Sequence, residues 1–404
     1  MHKQKIAILT AGGLAPCLSA AVGGLIERYT QVSPEADIIG YRGGYRGLLT
    51  GHSLSISAAD RAQSHILRLH GGSPLKNSRV NLGNIEDCLK RGLIRPGENP
   101  FTVAGEQLKR DQVTILHTIG GDDTNTAAAA LASHLGRMNY RLTVVGLPKT
   151  VDNDILPIRQ SMGAATAAEQ GARFFENIVN EHSSSSRTLI VHEIMGRNSG
   201  WLTASTARAW RTTLSTLKFA PGLNLSHREK DIDAVYLPEL TPDIPAEAAR
   251  LKRAMDEKDC VNLFISEAAC AAEVVSDMES RGQKVARDPF GHVKLDEINA
   301  GEWFARRFGK LIGAEKTLVQ KSGYFARSAA ANGEDLKLIG DMVRVAVDQA
   351  LAGRSGVVGE DEERGGILSV IDFTRIKGGK PFDIETSWFR ALLSDIGQMP
   401  LSSA

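Results

Sequence analysis

The chain has few cysteines and almost no net charge, and each of these features excludes a class of protein. The four cysteines, Cys17, Cys88, Cys260 and Cys270, show no C-x-x-C spacing, which argues against a disulfide framework or a zinc site. The 48 Lys and Arg residues nearly equal the 47 Asp and Glu residues, so no overall field draws the protein to nucleic acid or to an acidic membrane surface. Any phosphate binding must therefore depend on local groups.

Long apolar runs and the common nucleotide-binding motifs are missing too. No run of about 18 apolar residues is present to span a bilayer, and "MHKQKIAILTAGG" has too short an apolar segment for a signal peptide. We therefore expect a soluble, cytoplasmic protein with no membrane and no nucleic-acid partner. Neither G-x-G-x-x-G nor G-x-x-x-x-G-K-[ST] occurs, which argues against a dinucleotide fingerprint and against a P-loop kinase.

Short apolar runs recur along the chain with helix-forming stretches between them. They cover residues 5–10, 113–119, 141–147, 188–194 and 261–267. Continuous rather than alternating apolar strands, separated by helices, are typical of parallel sheets covered on both faces. The 404 residues are enough for two domains. We predict a doubly wound α/β fold.

Pattern and propensity place helices at about residues 18–29, 125–135 and 164–180. Two regions, residues 91–111 and about 221–256, have the composition of insertions or connectors rather than of sheet. In doubly wound sheets ligands bind outside the carboxyl ends of the strands, where helix N-termini offer free N–H groups. The segments "TAGGLAPC", "TIGGDDTNT", "LPKTVDND" and "IMGRNSG" all fall at such ends.

Two of these segments combine glycine or aspartate with the start of a helix. Gly12 and Gly13 would let the backbone approach a phosphate, although a plain strand-to-helix turn also explains them. Asp122 and Asp123 suit a divalent cation such as Mg²⁺, which takes carboxylate oxygens from the protein and the rest from phosphate and water. The alternative is that Asp122 only caps its helix.

"PKTVDND" carries one lysine and two aspartates directly after a strand. Lys149 is a flexible point charge suited to a phosphoryl oxygen, and Asp152 or Asp154 could take a proton from a hydroxyl. A charged surface turn is the alternative. Arg197 and Arg327 each follow a glycine-containing turn and suit phosphate oxygens, but either could be an ordinary surface arginine.

Five segments now form a recognisable set: "TAGGLAP", "GGSPLKNSR", "GGDD", "PKTVDND" with "MGR", and "GYFARS". In this order, over residues 5 to about 330, they resemble the phosphofructokinase family and, within it, the pyrophosphate-dependent branch. The resemblance implies two doubly wound, Rossmann-like domains with mainly parallel sheets and an active site in the cleft between them. The donor domain would comprise residues 1–148 plus about 328–375, and the sugar-phosphate domain residues 149–327 plus the C-terminal segment 376–404.

On the donor side, the resemblance implies that Gly12 and Gly13 bind the phosphoryl donor. Arg79, which closes "GGSPLKNSR", matches an arginine that neutralises charge on the transferring group. Asp122 matches a magnesium-holding aspartate, and Asp152 matches the base that takes the proton from the sugar's 1-hydroxyl.

The remaining site positions follow from the same resemblance. Thr150, Val151 and Asp154 match positions that place substrate and, for Asp154, metal. On the acceptor side, three residues match the sugar-phosphate loop: Met195, Gly196 and Arg197. Glu267 matches a carboxylate at the sugar hydroxyls, and Tyr324 and Arg327 match the pair at the 6-phosphate. Arg187 lies near the position of an arginine that reaches a neighbouring subunit's substrate.

Two positions decide the donor. ATP-using members carry glycine at the place of Asp123 and usually at the place of Lys149. A carboxylate at Asp123 adds bulk and negative charge where the α-phosphate and nucleoside of ATP must pass. Lys149 can bind the phosphate of pyrophosphate that leaves. The pair therefore favours pyrophosphate over ATP.

The resulting expectation is reversible, Mg²⁺-dependent phosphoryl transfer from pyrophosphate to fructose 6-phosphate by a homodimer or homotetramer. An ATP-dependent sugar-phosphate kinase and a non-catalytic regulatory subunit stay open as alternatives. The regulatory subunit would be expected to lose the base or the metal ligand, yet Asp122, Asp152 and Arg197 are all present. Related acceptors such as sedoheptulose 7-phosphate are not separated by these motifs.

Overall fold

A computed structural model describes residues 4–223, 225–286, 298–398 and 402–403. The chain divides into two compact units. The first comprises Met1–Thr166 and Arg327–Lys380, and the second comprises Ala167–Ala326 and Pro381–Ala404. Of the C-terminal segment expected in the sugar-phosphate domain, residues 399–401 and 404 lie outside the described residues.

The strands of the described residues are β1 (Lys5–Thr10), β2 (Asp37–Tyr41), β3 (Ser53–Ser55), β4 (Ile115–Gly120), β5 (Thr143–Pro148), β6 (Thr188–Ile194), β7 (Ala234–Tyr236), β8 (Leu240–Thr241), β9 (Cys260–Ser266), β10 (Lys316–Lys321), β11 (Gly356–Asp361), β12 (Ile367–Ile371) and β13 (Ser402–Ser403). The α-helices are α1 (Leu18–Val32), α2 (Tyr45–Thr50), α3 (Ala58–Gln63), α4 (Ile85–Lys90), α5 (Pro100–Arg110), α6 (Asp122–Arg137), α7 (Ala164–Ile178), α8 (Trp201–Leu214), α9 (His227–Lys230), α10 (Ile244–Lys258), α11 (Ala271–Ser280), α12 (Ala300–Ile312), α13 (Gly323–Arg327), α14 (Gly333–Leu351) and α15 (Ser387–Asp395).

The first unit contains a seven-stranded sheet in the order β12-β11-β5-β4-β1-β2-β3. Its five inner strands pair in parallel, and the two edge strands, β3 and β12, pair antiparallel. Strands β4 and β5 are buried along their whole length, as expected for strands covered on both faces. The carboxyl ends of β1, β4 and β5 therefore lie side by side at one edge of the sheet.

The second unit contains a four-stranded, fully parallel sheet in the order β10-β6-β9-β7. Strands β6 and β9 are also wholly buried. The expected doubly wound α/β class with mainly parallel sheets is confirmed. None of the helices built from the described residues is both long and apolar enough to cross a membrane.

The two expected connectors contain regular structure. Residues 91–111 include α5, whose start is fixed by the Asn99 side chain accepting from the Phe101 N–H and by Pro100 in the first turn. Residues 221–256 include β7 and most of α10, which Asp243 caps through the Ala246 N–H. Residues 91–111 contain no strand, in line with the expectation, whereas β7 and β8 show that it was wrong for part of residues 221–256.

The boundary between the units lies after Thr166 rather than after residue 148. Residues 149–166 belong to the first unit because Lys149 forms a β-bridge with Met162 and Ile158 forms one with Asp361. Likewise residues 376–380 belong to the first unit, since Lys377 forms a β-bridge with Leu156.

Candidate active site

The loop between β1 and α1 places its backbone against Lys149. Gly12 has φ +86°, and a Cβ on it would lie 3.1 Å from Lys149 Nζ. Lys149 Nζ in turn donates a hydrogen bond of 2.7 Å to the carbonyl of Gly13. Around Gly13 no heavy atom of the described residues lies within 4 Å of the position that a Cβ would take. The loop therefore has one glycine required by the fold and one facing open space.

A second segment, "GGSPLKNSR", packs on this loop and fixes it. The Gly12 N–H donates to the Ser78 carbonyl at 2.9 Å. Asn77 Nδ2 donates to the carbonyls of Gly12 and Gly13 at 3.0 and 3.1 Å. Sequence reasoning missed Asn77, although it lies in a quoted motif, because its role depends on contacts 64 and 65 residues away.

Lys149 is a buried cation at the end of β5, with 5% of its surface exposed. Burial lowers its pKa, and the charge of Arg79 acts in the same direction, whereas Asp152 and Asp154 act against it. The first unit therefore brings Arg79 and these two carboxylates close enough to Lys149 to influence its charge.

Asp122 and Asp123 form the first turn of α6, whose N-cap is Gly121. Since glycine has no side chain, neither carboxylate is the capping residue, and the capping alternative for Asp122 does not hold. Asp122 is half-buried and Asp123 is exposed. The pKa of Asp123 is raised, because its carboxylate loses part of its hydration and lies beside Asp122.

The turn that follows Lys149 is held by its own side chains. Thr150 Oγ1 donates to Asp154 Oδ1 at 3.2 Å and accepts from the Asp152 N–H at 3.1 Å. Asn153 is buried with φ +53°, and its side chain bonds the Arg159 carbonyl at 3.1 Å and the Ser161 N–H at 2.8 Å. None of the residues 149–154 is exposed, so the alternative of a charged surface turn does not hold for this segment.

Val151, the other expected substrate-binding residue in this turn, is buried with 8% of its surface exposed. It lies between Thr150 and Asp152, and its side chain contributes to fixing the turn rather than to an open surface.

Asp122 and Asp154 together fit a magnesium ion. Burial raises the pKa of Asp154 and the charge of Asp122 raises it too, whereas the hydrogen bond from Thr150 and the charge of Lys149 act against the shift, so the two carboxylates are close enough to repel each other. Within the described ranges no group of three or more His, Cys, Asp or Glu side chains could hold a metal by itself. Mg²⁺ is commonly held by one or two carboxylates together with substrate phosphates and water, which matches this pair.

In the second unit, the loop after β6 lies beside the end of β9. The Gly196 N–H donates to Glu267 Oε1 at 3.3 Å, and the Gly196 carbonyl accepts from Ser266 Oγ at 2.6 Å. Gly196 has φ +143°, and a Cβ there would lie 2.6 Å from the Ser199 carbonyl oxygen. The structure thus brings together Gly196 and Glu267, while Ser266 was not foreseen.

Met195 links this loop to α13. A Cβ on Gly323 would lie 2.8 Å from Met195 Cγ and 2.9 Å from its sulfur, so the methionine packs on the start of that helix. Tyr324, 80% exposed, and Arg327 are three residues apart in α13 and therefore share a face. Arg327 itself is assigned to the first unit, contrary to the domain boundary expected at residue 327. Arg197 is exposed.

Arg187, which lies near the position of an arginine that reaches a neighbouring subunit's substrate, makes contacts within its own chain. Its guanidinium donates to the carbonyls of Ile312 and Gly313 at 2.8 and 2.6 Å and pairs with Asp256 at 3.0 Å. These contacts satisfy carbonyls at the C-terminus of α12, where a cation is favourable. Arg187 is thereby used within its own chain.

Comparison with known proteins gives a consistent picture. The family model described as Phosphofructokinase matches residues 5–348. The chain is 56% identical over 395 residues to the pyrophosphate–fructose 6-phosphate 1-phosphotransferase of Methylomonas methanica, covering 98% of this chain and 97% of the relative. It is 56% identical to the protein of the same name from Mastigamoeba balamuthi, covering 98% and 96%. The solved structure of a pyrophosphate-dependent phosphofructokinase from Nitrosospira multiformis has a TM-score of 0.71 at 18% identity, covering 99% of this chain and 93% of that chain, which shows a shared fold.

Proposed function

The chain belongs to the phosphofructokinase family, and from this premise we propose that it catalyses reversible transfer of a phosphoryl group from pyrophosphate to fructose 6-phosphate. The products are fructose 1,6-bisphosphate and phosphate. The names of the two relatives, at 56% identity over nearly the whole chain, support this proposal directly. The observation that carries it is the buried ammonium of Lys149, bonded to the Gly13 carbonyl behind an open glycine loop.

The donor groups belong to the first unit. Gly13 leaves space for a phosphate at the backbone, and Lys149 and Arg79 are the cations close to it. As the bridging P–O bond of pyrophosphate breaks, negative charge grows on the leaving phosphate. Cations fixed in advance stabilise that charge without having to reorganise.

Asp152 is the base. Its carboxylate takes the proton of the sugar's 1-hydroxyl while the hydroxyl oxygen forms its bond to phosphorus. The hydrogen bond from its N–H to Thr150 Oγ1 and the neighbouring αL residue Asn153 hold Asp152 in one orientation. Such preorganisation supports transfer by positioning.

The acceptor groups belong to the second unit, with Arg327 at the point where the chain returns to the first. Glu267 suits sugar hydroxyls, and Arg197, Tyr324 and Arg327 suit a sugar phosphate. Met195 and Gly196 fix the loop that carries Arg197.

Asp122 and Asp154 would hold the magnesium ion. When bound, Mg²⁺ neutralises phosphate charge and orients the donor. Asp123, one residue further on, is exposed in the same helical turn. Its charge opposes the α-phosphate and nucleoside of ATP, so we propose that ATP gives no useful rate.

The proposal is tested by measuring turnover of the purified protein with Mg²⁺, fructose 6-phosphate and either pyrophosphate or ATP. We expect turnover with pyrophosphate only, and formation of pyrophosphate from fructose 1,6-bisphosphate and phosphate. Turnover with ATP but not with pyrophosphate would refute the proposal. We also propose a homodimer or homotetramer, to be measured by light scattering coupled to size-exclusion chromatography.

A further inference from the structure

A loop near the end of the first unit contacts the proposed metal ligand. Gly378, in the segment "KGGK" (377–380), lies so close to Asp122 that a Cβ on it would be 2.0 Å from Oδ2 and 2.6 Å from Cγ of that carboxylate. The two residues are 256 positions apart in the sequence. Asp122 occupies space that any side chain at position 378 would take.

The segment 377–380 is anchored and cannot simply move away. Leu156 and Lys377 exchange backbone hydrogen bonds of 2.7 and 3.2 Å, and the Lys380 N–H donates to the Asp154 carbonyl at 2.9 Å. Lys380 Nζ donates to the Ile158 carbonyl at 3.0 Å and to Glu362 at 2.6 Å. The same segment therefore contacts the side chain of Asp122 and the backbone of Asp154.

We propose that Gly378 is a positioning residue for the magnesium–pyrophosphate site. By lacking a side chain it leaves free the space that the Asp122 carboxylate occupies. This inference rests on the proposed function, since it assumes that Asp122 and Asp154 hold the ion. Gly378 touches neither substrate nor metal and acts only through Asp122.

A Gly378→Ala variant separates the position of the metal ligand Asp122 from the stability of the fold. The φ angle of Gly378 is not among the positive ones, so the backbone accepts alanine. The group that must move is the carboxylate of Asp122, at the end of a short side chain that can rotate at small cost. The fold should therefore persist while the Asp122 carboxylate is displaced from its present position.

The adjacent glycine provides a matched control with the opposite behaviour. Gly379 has φ +79°, and within the described part of the chain no heavy atom lies within 4 Å of its would-be Cβ. Alanine there strains the backbone but leaves Asp122 untouched. Gly379→Ala should lose stability and keep metal affinity, whereas Gly378→Ala should do the reverse.

The experiment titrates Mg²⁺ into wild type, Gly378→Ala and Gly379→Ala at fixed pyrophosphate and without sugar, followed by calorimetry, with melting temperatures measured in parallel. We expect Gly378→Ala to weaken Mg²⁺ binding by about 10- to 100-fold, the range for losing support of a ligand. An affinity equal to the wild type's would overturn the inference. Absence of binding in the wild type would instead refute the proposed function, and the inference with it.

A double-mutant cycle distinguishes action through Asp122 from any other effect. In an Asp122→Ala background the group that the new methyl displaces is already gone. Gly378→Ala should then weaken Mg²⁺ binding no further. The same additional loss in both backgrounds would show that Gly378 acts by another route and would overturn the inference.

Discussion

Replacing Lys149 with methionine is the sharpest test of the proposed donor site. Methionine keeps an unbranched side chain and removes the charge. The Gly13 carbonyl, which loses the 2.7 Å hydrogen bond from Lys149, keeps the 3.1 Å hydrogen bond from Asn77. No buried backbone oxygen is therefore left without a donor, and the loop keeps its support.

The expected loss of activity follows from the bond that Lys149 would make to the leaving phosphate. A hydrogen bond to a charged group contributes about 1.5–3 kcal/mol. Losing this hydrogen bond from the transition state should lower kcat/KM for pyrophosphate by roughly 10- to 160-fold.

The expected change in stability has the opposite sign. Burial lowers the pKa of Lys149, so the folded protein binds this proton less tightly than the unfolded chain does. At any pH below the ordinary pKa of lysine, the unfolded chain therefore gains more from binding this proton, and the buried charge disfavours folding. Lys149→Met should leave the free energy of unfolding unchanged or raise it.

Lys258 supplies the control because it is equally buried but paired. Its side chain is 6% exposed, and Nζ lies 2.9 Å from Asp233 Oδ2. Lys258→Met leaves Asp233 buried without its cation, which typically costs about 3–5 kcal/mol. Its kcat/KM for pyrophosphate should equal the wild type's at temperatures where the variant is folded.

The assay couples fructose 1,6-bisphosphate formation to an indicator reaction over a range of pyrophosphate concentrations, and urea unfolding gives the stabilities. If Lys149→Met keeps the wild-type kcat/KM, the lysine does not act on the leaving phosphate. If Lys149→Met loses as much stability as Lys258→Met, Lys149 is a structural cation and the reasoning fails.

Three other changes in the first unit test the remaining roles. Asp152→Asn should lower kcat about 10²- to 10⁴-fold with pyrophosphate binding retained in calorimetry; a wild-type kcat would contradict its assignment as base. Asp123→Gly combined with Lys149→Gly should make ATP a measurable donor in the same coupled assay. If the double variant shows no turnover with ATP, other residues determine the donor. Because burial and Asp122 raise the pKa of Asp154, acidification should remove its charge at a higher pH than for an ordinary aspartate. Mg²⁺ affinity in wild type should then fall more steeply with falling pH than in Asp154→Asn, whereas parallel pH profiles would refute that role.

The strands were predictable where apolar runs end sharply. The predicted bounds 5–10 and 188–194 agree with β1 and β6, because a polar residue precedes each run and a glycine follows it within two residues. Strand β7 was not predicted, since three residues between polar segments carry too little pattern. The unit boundary was misplaced because the bridge from Ile158 to Asp361 pairs residues 203 positions apart.

The site was predictable to the extent that it follows the ends of strands. Gly12, Asp122 and Lys149 follow β1, β4 and β5, which are neighbours in the sheet. A rule about parallel sheets therefore brings them together. Asn77 and Gly378 follow no strand of that group, and only the tertiary fold places them against the loop and the carboxylate.

The charges at this edge of the sheet account for the choice of donor better than the fold does. Lys149 is buried with a lowered pKa, whereas Asp123 and Asp154 have raised ones, so the protein holds both signs of charge here at a cost. In the proposed function a magnesium–pyrophosphate complex would relieve both, because its anion would meet Lys149 while its cation would meet Asp154. A triphosphate could offer the same two charges, but its nucleoside would have to pass the exposed carboxylate of Asp123. The proposal therefore makes donor selectivity depend on where one carboxylate lies and not on the summed charge, which is only +1 for the whole chain.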